Sequence, residues 1–361
     1  MPRFHNPPTP YAFARMPSIL SVGTSNPPFR YSQREIYDFS ARHVELYRSP
    51  RVEQIFMNSD IDQRYLAFDM ATLDPDESAD EMHARFTEHA LPTARKAAEE
   101  ALARAGLGAG DVDSIIAVSC TGYLCPGLTA LLVKDMGLRT DLQRADLLGM
   151  GCAGAMPGLQ RGYDYVMAYP RKKALVVTVE ICSACYYVDD TLETVVGNAI
   201  CGDGAAAVVM GNSDASPGPR IRAFETLLEP SYIHTVGFQF RSGKLRLVLS
   251  KDIRDAAGEL ARKVVGTLLE RSGVSRDDVR HWVVHSGGRK VIDGIKDRLG
   301  LTEEDLRHSR SVLREFGNMS SPTVLFVLDR TMRASLPEPG DLGVMLAMGP
   351  GLAIEGALLE W

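Results

Sequence analysis

The sequence has no long hydrophobic run and no excess of basic residues, with 40 Lys and Arg against 46 Asp and Glu. No segment reaches the roughly 18 consecutive apolar residues of a membrane-spanning helix, so a membrane protein is not predicted. The net charge of −6 argues against nucleic acid or an anionic membrane surface as the main partner. The first 30 residues carry seven prolines and lack the apolar run of a signal peptide, and we expect a cytoplasmic protein.

The six cysteines lack the spacing of a disulfide framework and stand in apolar or glycine-rich surroundings. Cys182 and Cys185 form a single C-x-x-C pair without a second pair or a nearby group of histidines, so a zinc site is not predicted. We therefore expect reduced thiols and no bound metal.

Alternating helical and strand patterns indicate an α/β protein, and 361 residues are enough for two units that each have a core. Residues 1–30 are predicted to form an irregular arm and residues 32–66 to be mostly helical. A longer helix is predicted from Ser78 to Arg104, restarting at Pro92. The other predicted elements are strands 112–119, 144–151, 174–179 and 205–210 and helices 128–136 and 152–168.

An internal repeat is the most informative feature of this organisation. The helix, glycine stop and strand of residues 94–119 match those of residues 261–286, and every matched position is shifted by 167 residues. With a slip of one residue, the segment around Cys152 matches the segment around Asn318. A duplicated α/β unit places equivalent loops opposite each other. We therefore expect these two residues to meet, together with the loop after strand 279–285.

Cys152 stands between an apolar strand pattern that ends in glycines and a helix of small residues. Gly149, Gly151 and Gly154 permit a sharp turn and a close approach of the backbone. A cysteine at a helix N-terminus experiences the positive end of the helix dipole, which favours its thiolate. The pattern indicates a sulfur nucleophile, although a small buried cysteine at a tight strand–helix junction has the same pattern.

His285 and Asn318 complete a set of residues suited to thioester chemistry. His285 ends a strand before two glycines and a helix, where open α/β folds bind ligands, and it can hold a thiolate as base or cation. Asn318 does not titrate at neutral pH but can donate hydrogen bonds to a developing oxyanion or enolate. A papain-like protease also uses Cys, His and Asn, but its Cys-Gly-Ser-Cys-Trp signature does not occur here.

Four motifs occur in order: Gly-Met-Gly-Cys152, Val-Val-His285-Ser-Gly-Gly, Phe-Gly-Asn318-Met-Ser-Ser and Met-Gly349-Pro-Gly-Leu-Ala-Ile-Glu-Gly. Together they resemble the type III polyketide synthases, the chalcone synthase superfamily, and the similarity runs from about residue 50 to Trp361. The related ketoacyl-ACP synthases III also carry Cys, His and Asn. They usually have Gln-Ala-Asn after the histidine and lack the Gly-Pro-Gly loop, so they fit less well.

The resemblance implies a thiolase fold, in which two pseudo-twofold-related α/β halves form a layered αβαβα core, and a homodimer. We place the halves at residues 31–220, with the cysteine, and 221–361, with the histidine and the asparagine. The implied reaction is iterative decarboxylative condensation of malonyl-CoA onto an acyl starter held on Cys152, with His285 and Asn318 stabilising the enolate. Malonyl-CoA and an acyl-CoA starter are the implied substrates, and no further cofactor is implied.

The same resemblance assigns residues to the substrate cavity. The matched positions are Thr121, Cys125, Cys182 and Cys185 in the cavity wall and Gly349, Pro350 and Gly351 in the loop that shapes the cyclisation chamber. The family position of Cys125 reaches the site of the partner subunit.

Two departures from the family concern the passage into this cavity. The gatekeeper phenylalanines are replaced by Cys201 and, in the best alignment, by Leu247, with Leu245 as the other option. Both replacements are smaller than a ring, so a wider passage is expected.

A further departure concerns the CoA phosphates. The basic residues that plant enzymes place near residues 55–65 are mostly absent, which leaves Arg64. Arg289 and Lys290, at a predicted helix start, are weaker candidates for a phosphate contact.

The sequence leaves two kinds of product open. Stretches such as Glu180-Ile-Cys-Ser-Ala look closest to the bacterial 3,5-dihydroxyphenylacetyl-CoA synthases, which use malonyl-CoA as both starter and extender. The small gatekeepers and Cys185 resemble instead the bacterial alkylresorcinol and alkylpyrone synthases, whose small wall residues admit a fatty acyl starter. We predict the malonyl-primed aromatic product first. A ketoacyl-ACP synthase III-like enzyme and a non-catalytic thiolase-fold scaffold are the more distant alternatives.

Overall fold

The computed structural model describes residues 16–212, 218–241, 243–249 and 253–361. The α-helices of these ranges are α1 (Gln33–His43), α2 (Pro50–Met57), α3 (Ala79–Arg104), α4 (Leu128–Met136), α5 (Ala155–Ala168), α6 (Leu192–Ile200), α7 (Ile253–Ser272), α8 (Arg289–Leu299), α9 (Arg307–Phe316) and α10 (Thr323–Arg330). The strands are β1 (Ser18–Ser25), β2 (Phe29–Ser32), β3 (Gln63–Leu66), β4 (Ser114–Ser119), β5 (Gln143–Leu148), β6 (Ala174–Glu180), β7 (Gly204–Gly211), β8 (Arg220–Leu228), β9 (Val236–Arg241), β10 (Lys244–Leu249), β11 (Val279–Val284), β12 (Leu342–Gly349) and β13 (Ala353–Glu360). In these ranges no helix combines the length and the apolar character needed to cross a membrane.

Nine of the described strands form one sheet, in the order β11-β12-β13-β8-β1-β7-β6-β4-β5, and its two sides repeat one pairing scheme. On one side β4 is parallel to β6, β6 is antiparallel to β7, and β7 is antiparallel to β1. On the other side β11 is parallel to β12, β12 is antiparallel to β13, and β13 is antiparallel to β8. The two sides meet where β1 pairs with β8. This topology is what the internal repeat predicts.

Three apolar clusters divide the molecule into layers. The alternation of side chains along each strand sends neighbouring residues to opposite faces of the sheet. On β4, Ile115 and Ala117 pack under α3 and α4, whereas Ile116 and Val118 pack against the middle helices α5 and α10. The second half repeats this arrangement, with α7 and α8 on its outer face. The predicted αβαβα layering is therefore present.

The N-terminal segment differs from the prediction. Residues 1–15 of the predicted arm lie outside the described residues, but residues 18–25 form β1, which pairs with β7 at the centre of the sheet. Strand β2 begins at the end of the same predicted arm and pairs with β3, so residues 63–66 are also a strand and not helix. Prolines on both sides of Ser18–Ser25 obscure the strand pattern. The strand that pairs with this segment also lies far along the chain, so local sequence does not predict the pairing.

Helix α3 covers the outer face of β1 and β7. It begins with a capping box, in which Ser78 and Glu81 each bond the backbone of the other residue. The helix continues through Pro92 without the predicted restart. It lies so close to β1 that a Cβ on Gly23 would come within 2.3 Å of the Ala97 carbonyl oxygen. A glycine in β1 is therefore what allows this helix to lie against the sheet.

Candidate active site

Cys152 lies in a tight turn between β5 and α5. The strand ends at Leu148, earlier than the predicted residue 151, and a short 3-10 turn spans Gly151–Ala153 before the helix begins at Ala155. Gly149 and Gly151 have φ angles of +76° and +52°, which residues other than glycine rarely adopt. The glycines therefore do what the sequence predicts and turn the chain at the cysteine.

The Gly-Pro-Gly loop packs directly on this turn. A Cβ on Gly151 would lie 2.3 Å from Pro350 Cδ, and a Cβ on Gly349 would lie 2.7 Å from the Met150 carbonyl oxygen. Gly351 also has a positive φ, +68°. The C-terminal half thus supplies one wall of the turn that carries Cys152.

Asn318 occupies the matching place in the second half, shortly before α10. Its Nδ2 lies 4.0 Å from Cys152 Sγ and donates a hydrogen bond of 3.2 Å to the Gly287 carbonyl oxygen. Its Oδ1 accepts a bond of 2.8 Å from the Ser320 backbone N–H. These two partners fix the amide with its outer edge toward the cysteine, whose Sγ lies 3.9 Å from Oδ1 and 4.0 Å from Nδ2. The predicted meeting of Cys152 and Asn318 is confirmed.

His285 follows β11 and is buried, with 1% of its surface exposed. Its backbone N–H bonds the Leu346 carbonyl, which continues the strand pairing. Among the described residues neither ring nitrogen finds a hydrogen-bond partner, and burial lowers the pKa of the imidazole to about 4. Buried polar groups without partners are rare in proteins, so a neutral imidazole held in this way is suited to a ligand group.

The electrostatics of Cys152 differ from the prediction that its helix start favours the thiolate. Burial raises the pKa of the thiol to about 12, although hydrogen bonds with Ser320 and Asn318 act in the opposite direction. Ser320, held at a φ of +60°, is a site residue that the sequence analysis missed. The Ser-Ser pair shortly after Asn318 is the sequence feature that could have indicated this residue. The free protein therefore holds a thiol that must lose its proton when a substrate arrives.

A buried carboxylate connects the two halves behind the cysteine. Glu180, at the end of β6, accepts bonds from the backbone N–H of Cys120 (2.9 Å) and Thr121 (3.1 Å) and from Thr121 Oγ1 (2.9 Å). It also accepts a bond of 2.7 Å from Ser321 Oγ, in the loop after Asn318. Burial raises the pKa of Glu180 against these bonds. The predicted wall residue Thr121 is thus fixed by a carboxylate.

The other predicted wall residues lie on several elements around this centre. Cys185 Sγ lies 3.9 Å from the Thr121 carbonyl oxygen, and Cys182 starts the same turn. Cys201 forms a bridge with Asn318, because Gly202 N–H bonds the Asn318 carbonyl and Asn318 N–H bonds the Ile200 carbonyl.

Leu247 and Cys125 lie outside these segments. Leu247, on β10, approaches Gly197 of α6, where a Cβ would lie 3.0 Å from its Cδ2. Cys125 is exposed.

The CoA-phosphate prediction for Arg64 is wrong. Its side chain is completely buried and donates to the carbonyl oxygens of Asn198 and Cys201 and to Gln33 Oε1. Segments that are distant in the sequence enclose this arginine, and local sequence does not reveal that burial. Arg289 and Lys290 do begin α8, with Lys290 exposed, so their phosphate contact stays a prediction.

Comparison with known proteins agrees with this geometry. The family model "FAE1/Type III polyketide synthase-like protein" matches residues 40–272, and "Chalcone and stilbene synthases, C-terminal domain" matches residues 223–361. A 3,5-dihydroxyphenylacetyl-CoA synthase of Streptomyces toyocaensis is 35% identical, over 96% of this chain and 90% of that protein. The chain belongs to the type III polyketide synthases. It is therefore a condensing acyltransferase with the thiolase-like fold of that family.

Other type III polyketide synthases are similar over a comparable length. A 1,3,6,8-tetrahydroxynaphthalene synthase of Streptomyces peucetius subsp. caesius is 33% identical, over 95% of this chain and 93% of that protein. An α-pyrone synthesis polyketide synthase-like protein of Mycobacterium tuberculosis is 31% identical, over 98% and 93%. Among solved structures, PKS-I of the brown alga Ectocarpus siliculosus has a TM-score of 0.88 and 30% identity, covering 96% of this chain and 98% of that one. Relatives with different products are thus nearly equally similar.

Proposed function

We propose that this type III polyketide synthase condenses malonyl-CoA on Cys152 and closes an aromatic product similar to 3,5-dihydroxyphenylacetyl-CoA, with malonyl-CoA as both starter and extender. The observation that carries the catalytic assignment is the Asn318 amide, which two fixed hydrogen bonds hold with Nδ2 at 4.0 Å and Oδ1 at 3.9 Å from Cys152 Sγ. The similarity to the 3,5-dihydroxyphenylacetyl-CoA synthase of Streptomyces toyocaensis, at 35% identity, supports this product.

Acylation begins from a thiol, because the pKa of Cys152 is raised to about 12. The neutral ring of His285 has a nitrogen without a partner in the described ranges, and this nitrogen can take the thiol proton as sulfur attacks the starter thioester carbonyl. The carbon–sulfur bond to CoA breaks, and the imidazolium returns the proton to the leaving CoA thiolate. The acyl group then remains on Cys152 as a thioester, and His285 is neutral again.

Decarboxylation of malonyl-CoA forms an enolate whose negative charge lies on the thioester oxygen. Asn318 Nδ2 can donate one hydrogen to that oxygen while its other hydrogen stays on the Gly287 carbonyl. A ring N–H of His285 supplies the second donor. The enolate carbon attacks the carbonyl of the acyl thioester, the bond from that carbonyl to the Cys152 sulfur breaks, and the sulfur leaves as the thiolate. The chain, now two carbons longer, is held on CoA. Its transfer back to Cys152 by the acylation step, with release of CoA, prepares the next extension. Only these side chains and the CoA thioesters take part, so we propose no metal or prosthetic group.

The decisive experiment supplies purified protein with isotope-labelled malonyl-CoA alone and identifies the products by mass spectrometry. We expect consumption of malonyl-CoA and an aromatic product without any added starter. Cys152→Ala is expected to abolish product formation, and Asn318→Ala to slow decarboxylation by at least about 100-fold. Full product yield from Cys152→Ala would contradict the nucleophile assignment.

A long-chain acyl starter is the second candidate, favoured by Cys201 and Leu247 at positions where the family has phenylalanine rings. The Mycobacterium tuberculosis relative is an α-pyrone synthesis protein. In the same assay, product only after addition of a long-chain acyl-CoA would reject the malonyl-primed product and support this candidate. Returning the rings with Cys201→Phe and Leu247→Phe would then shorten the accepted chain.

A further inference from the structure

Arg64 is a completely buried cation whose hydrogen bonds end on neutral acceptors. Its Nη1 donates bonds of 2.7 Å to the Asn198 carbonyl and 2.6 Å to the Cys201 carbonyl, and Nη2 donates to Gln33 Oε1 at 2.8 Å. The two carbonyls lie at the C-terminal end of α6, where unbonded C=O groups and the helix dipole present partial negative charge. Burial lowers the pKa of the guanidinium to about 10, so it is still charged at neutral pH. Arg64 is therefore a charged cap on the end of this helix.

Two further carbonyl groups of the same helix end are also bonded by distant segments of the chain. Gln33 Nε2 donates a bond of 2.7 Å to the Ala199 carbonyl, and the Asn318 backbone N–H donates a bond of 2.8 Å to the Ile200 carbonyl. The Gly202 N–H donates a bond of 3.0 Å back to the Asn318 carbonyl. The backbone of the asparagine is thus fixed by the helix end that the buried arginine caps.

The aliphatic stem of Arg64 also packs against the residue that precedes Asn318. Gly317 has a φ of +67°, and a Cβ at this position would lie 2.7 Å from Arg64 Cδ and 2.7 Å from the Ile200 carbonyl oxygen. Only glycine fits so close to both groups. Arg64 therefore contacts the segment of Asn318 directly, in addition to holding it through the end of α6.

We propose that Arg64 is a positioning residue for Asn318, because its guanidinium and its stem together hold the backbone from which the side-chain amide reaches Cys152. The bonds of the amide to Gly287 and Ser320 set its rotation, whereas Arg64 sets where its backbone lies. A displacement of about 1 Å at a catalytic group can lower a rate by about 100-fold. The effect on rate rests on the proposed function, whereas the hold on the backbone does not.

Arg64→Lys is the substitution that tests this role. Lysine keeps the charge and most of the stem, but its single ammonium group does not reproduce the fork with which a guanidinium bonds two helix carbonyls and Gln33. Arg276→Lys is the matched control. Arg276 donates to the Leu299 and Gly300 carbonyls at 3.2 and 3.0 Å, so it caps the C-terminal end of another helix, α8, in the same way.

Backbone hydrogen exchange measures the positioning without any turnover. In full-length Arg64→Lys, the N–H groups of Asn318 and Gly202 should exchange at least about tenfold faster than in the wild type, whereas Arg276→Lys should leave both rates unchanged. Overlapping peptic peptides analysed by mass spectrometry resolve these two amides. Gln33→Met, which removes the donor to the Ala199 carbonyl, should accelerate the same amides to a smaller extent. This second variant decides the question if Arg64→Lys does not fold.

The rate of decarboxylation measures the consequence for the reaction. Release of labelled carbon dioxide from malonyl-CoA is followed in the Cys152→Ala protein, in which acylation does not contribute. Adding Arg64→Lys should slow this release at least about tenfold, whereas adding Arg276→Lys should not change it. When Asn318→Ala is also present, Arg64→Lys should cost no more than about a further twofold, because the residue that it positions is gone. Losses that multiply would indicate general damage and overturn the proposal.

The two measurements separate this proposal from the proposed function. Faster exchange at Asn318 in Arg64→Lys, in a protein that releases no carbon dioxide from malonyl-CoA, would refute the proposed function and leave the positioning role standing. An active enzyme in which neither Arg64→Lys nor Gln33→Met accelerates exchange would refute the positioning role alone. Faster exchange with decarboxylation at the wild-type rate would refute the link between Arg64 and the reaction.

Discussion

Among single residues, the buried imidazole of His285 is neutral, and neither of its nitrogens has a partner in the part of the chain that the structure describes. Burial affects Cys152 in the same direction, toward the uncharged form. Both groups are therefore neutral in the free protein, and two hydrogen bonds fix the dipole of the Asn318 amide. Charge develops only with substrate, where preorganised donors are most effective.

The lowered pKa of His285 predicts a pH dependence of stability. Below an ordinary pKa of about 6.5 the unfolded chain binds a proton that the folded protein, with a pKa of about 4, does not bind. The free energy of unfolding should therefore fall by about 2 to 3 kcal/mol from this residue between pH 7 and 4.5. Urea unfolding of the wild type and of His285→Gln at pH 7 and 4.5 measures this fall in the free energy of unfolding.

The difference between these two proteins is the relevant quantity. Asp203, whose pKa is raised to about 6, contributes with the opposite sign, since its folded state gains a proton as the pH falls. That contribution is common to both proteins and cancels. Equal pH dependence in wild type and His285→Gln would show that the imidazole is not held neutral.

Ser320 should influence the reactivity of Cys152, because its hydrogen bond opposes the rise in the pKa of that thiol. Ser320→Ala removes a bond of about 1 kcal/mol, so alkylation of Cys152 at pH 8 should slow by about fivefold. Ser321→Ala is the matched control, since its hydroxyl bonds Glu180 instead. Peptide mass spectrometry reads Cys152 separately from the other thiols, and equal slowing in both variants would contradict this role.

At the scale of elements, the turn after β5 is shaped by its contact with the loop between β12 and β13. Gly149 and Gly151 both have positive φ, but only Gly151 faces a neighbour, the ring of Pro350. Gly151→Ala should therefore cost about 2 to 4 kcal/mol of stability and most of the activity. Gly149→Ala, with open space around its Cβ, should cost about 1 kcal/mol. Thermal unfolding compares the stability of the two variants. Similar losses of stability would show that contact with Pro350 does not determine the cost at Gly151.

At the scale of the whole molecule, β5 is an open edge. It pairs with β4 alone among the described strands, and Leu148 and Met150 beside it are 48% and 37% exposed. Proteins cover such edges, and the family resemblance implies a homodimer. We expect light scattering to give twice the subunit mass of 39.5 kDa.

A charge at the edge tests this assembly. Leu148→Arg should raise the dimer dissociation constant at least about tenfold, because it places an unpaired cation in the interface. Phe240→Arg, an equally apolar-to-charged change on the exposed strand β9, should leave the dimer intact. A monomeric wild type, or equal weakening by both substitutions, would contradict the edge-to-edge assembly.

The residues of the site could be found from sequence because each stands in a short motif whose glycines and flanking pattern are contiguous. The repeat of 167 residues also predicted that Cys152 and Asn318 meet, since a duplicated fold places equivalent positions opposite each other. The domain limits and the roles of the cavity residues stay predictions.

Only the tertiary structure decided the properties that depend on distant neighbours. Ser18–Ser25 is a central strand because it pairs with β7, which lies far along the chain. Arg64 is buried and Cys152 is a thiol because the packing of separate segments removes water from these groups. Local sequence encodes which groups are present and how the chain turns beside them. Burial and pairing are set by the whole fold, and they decide protonation and contact.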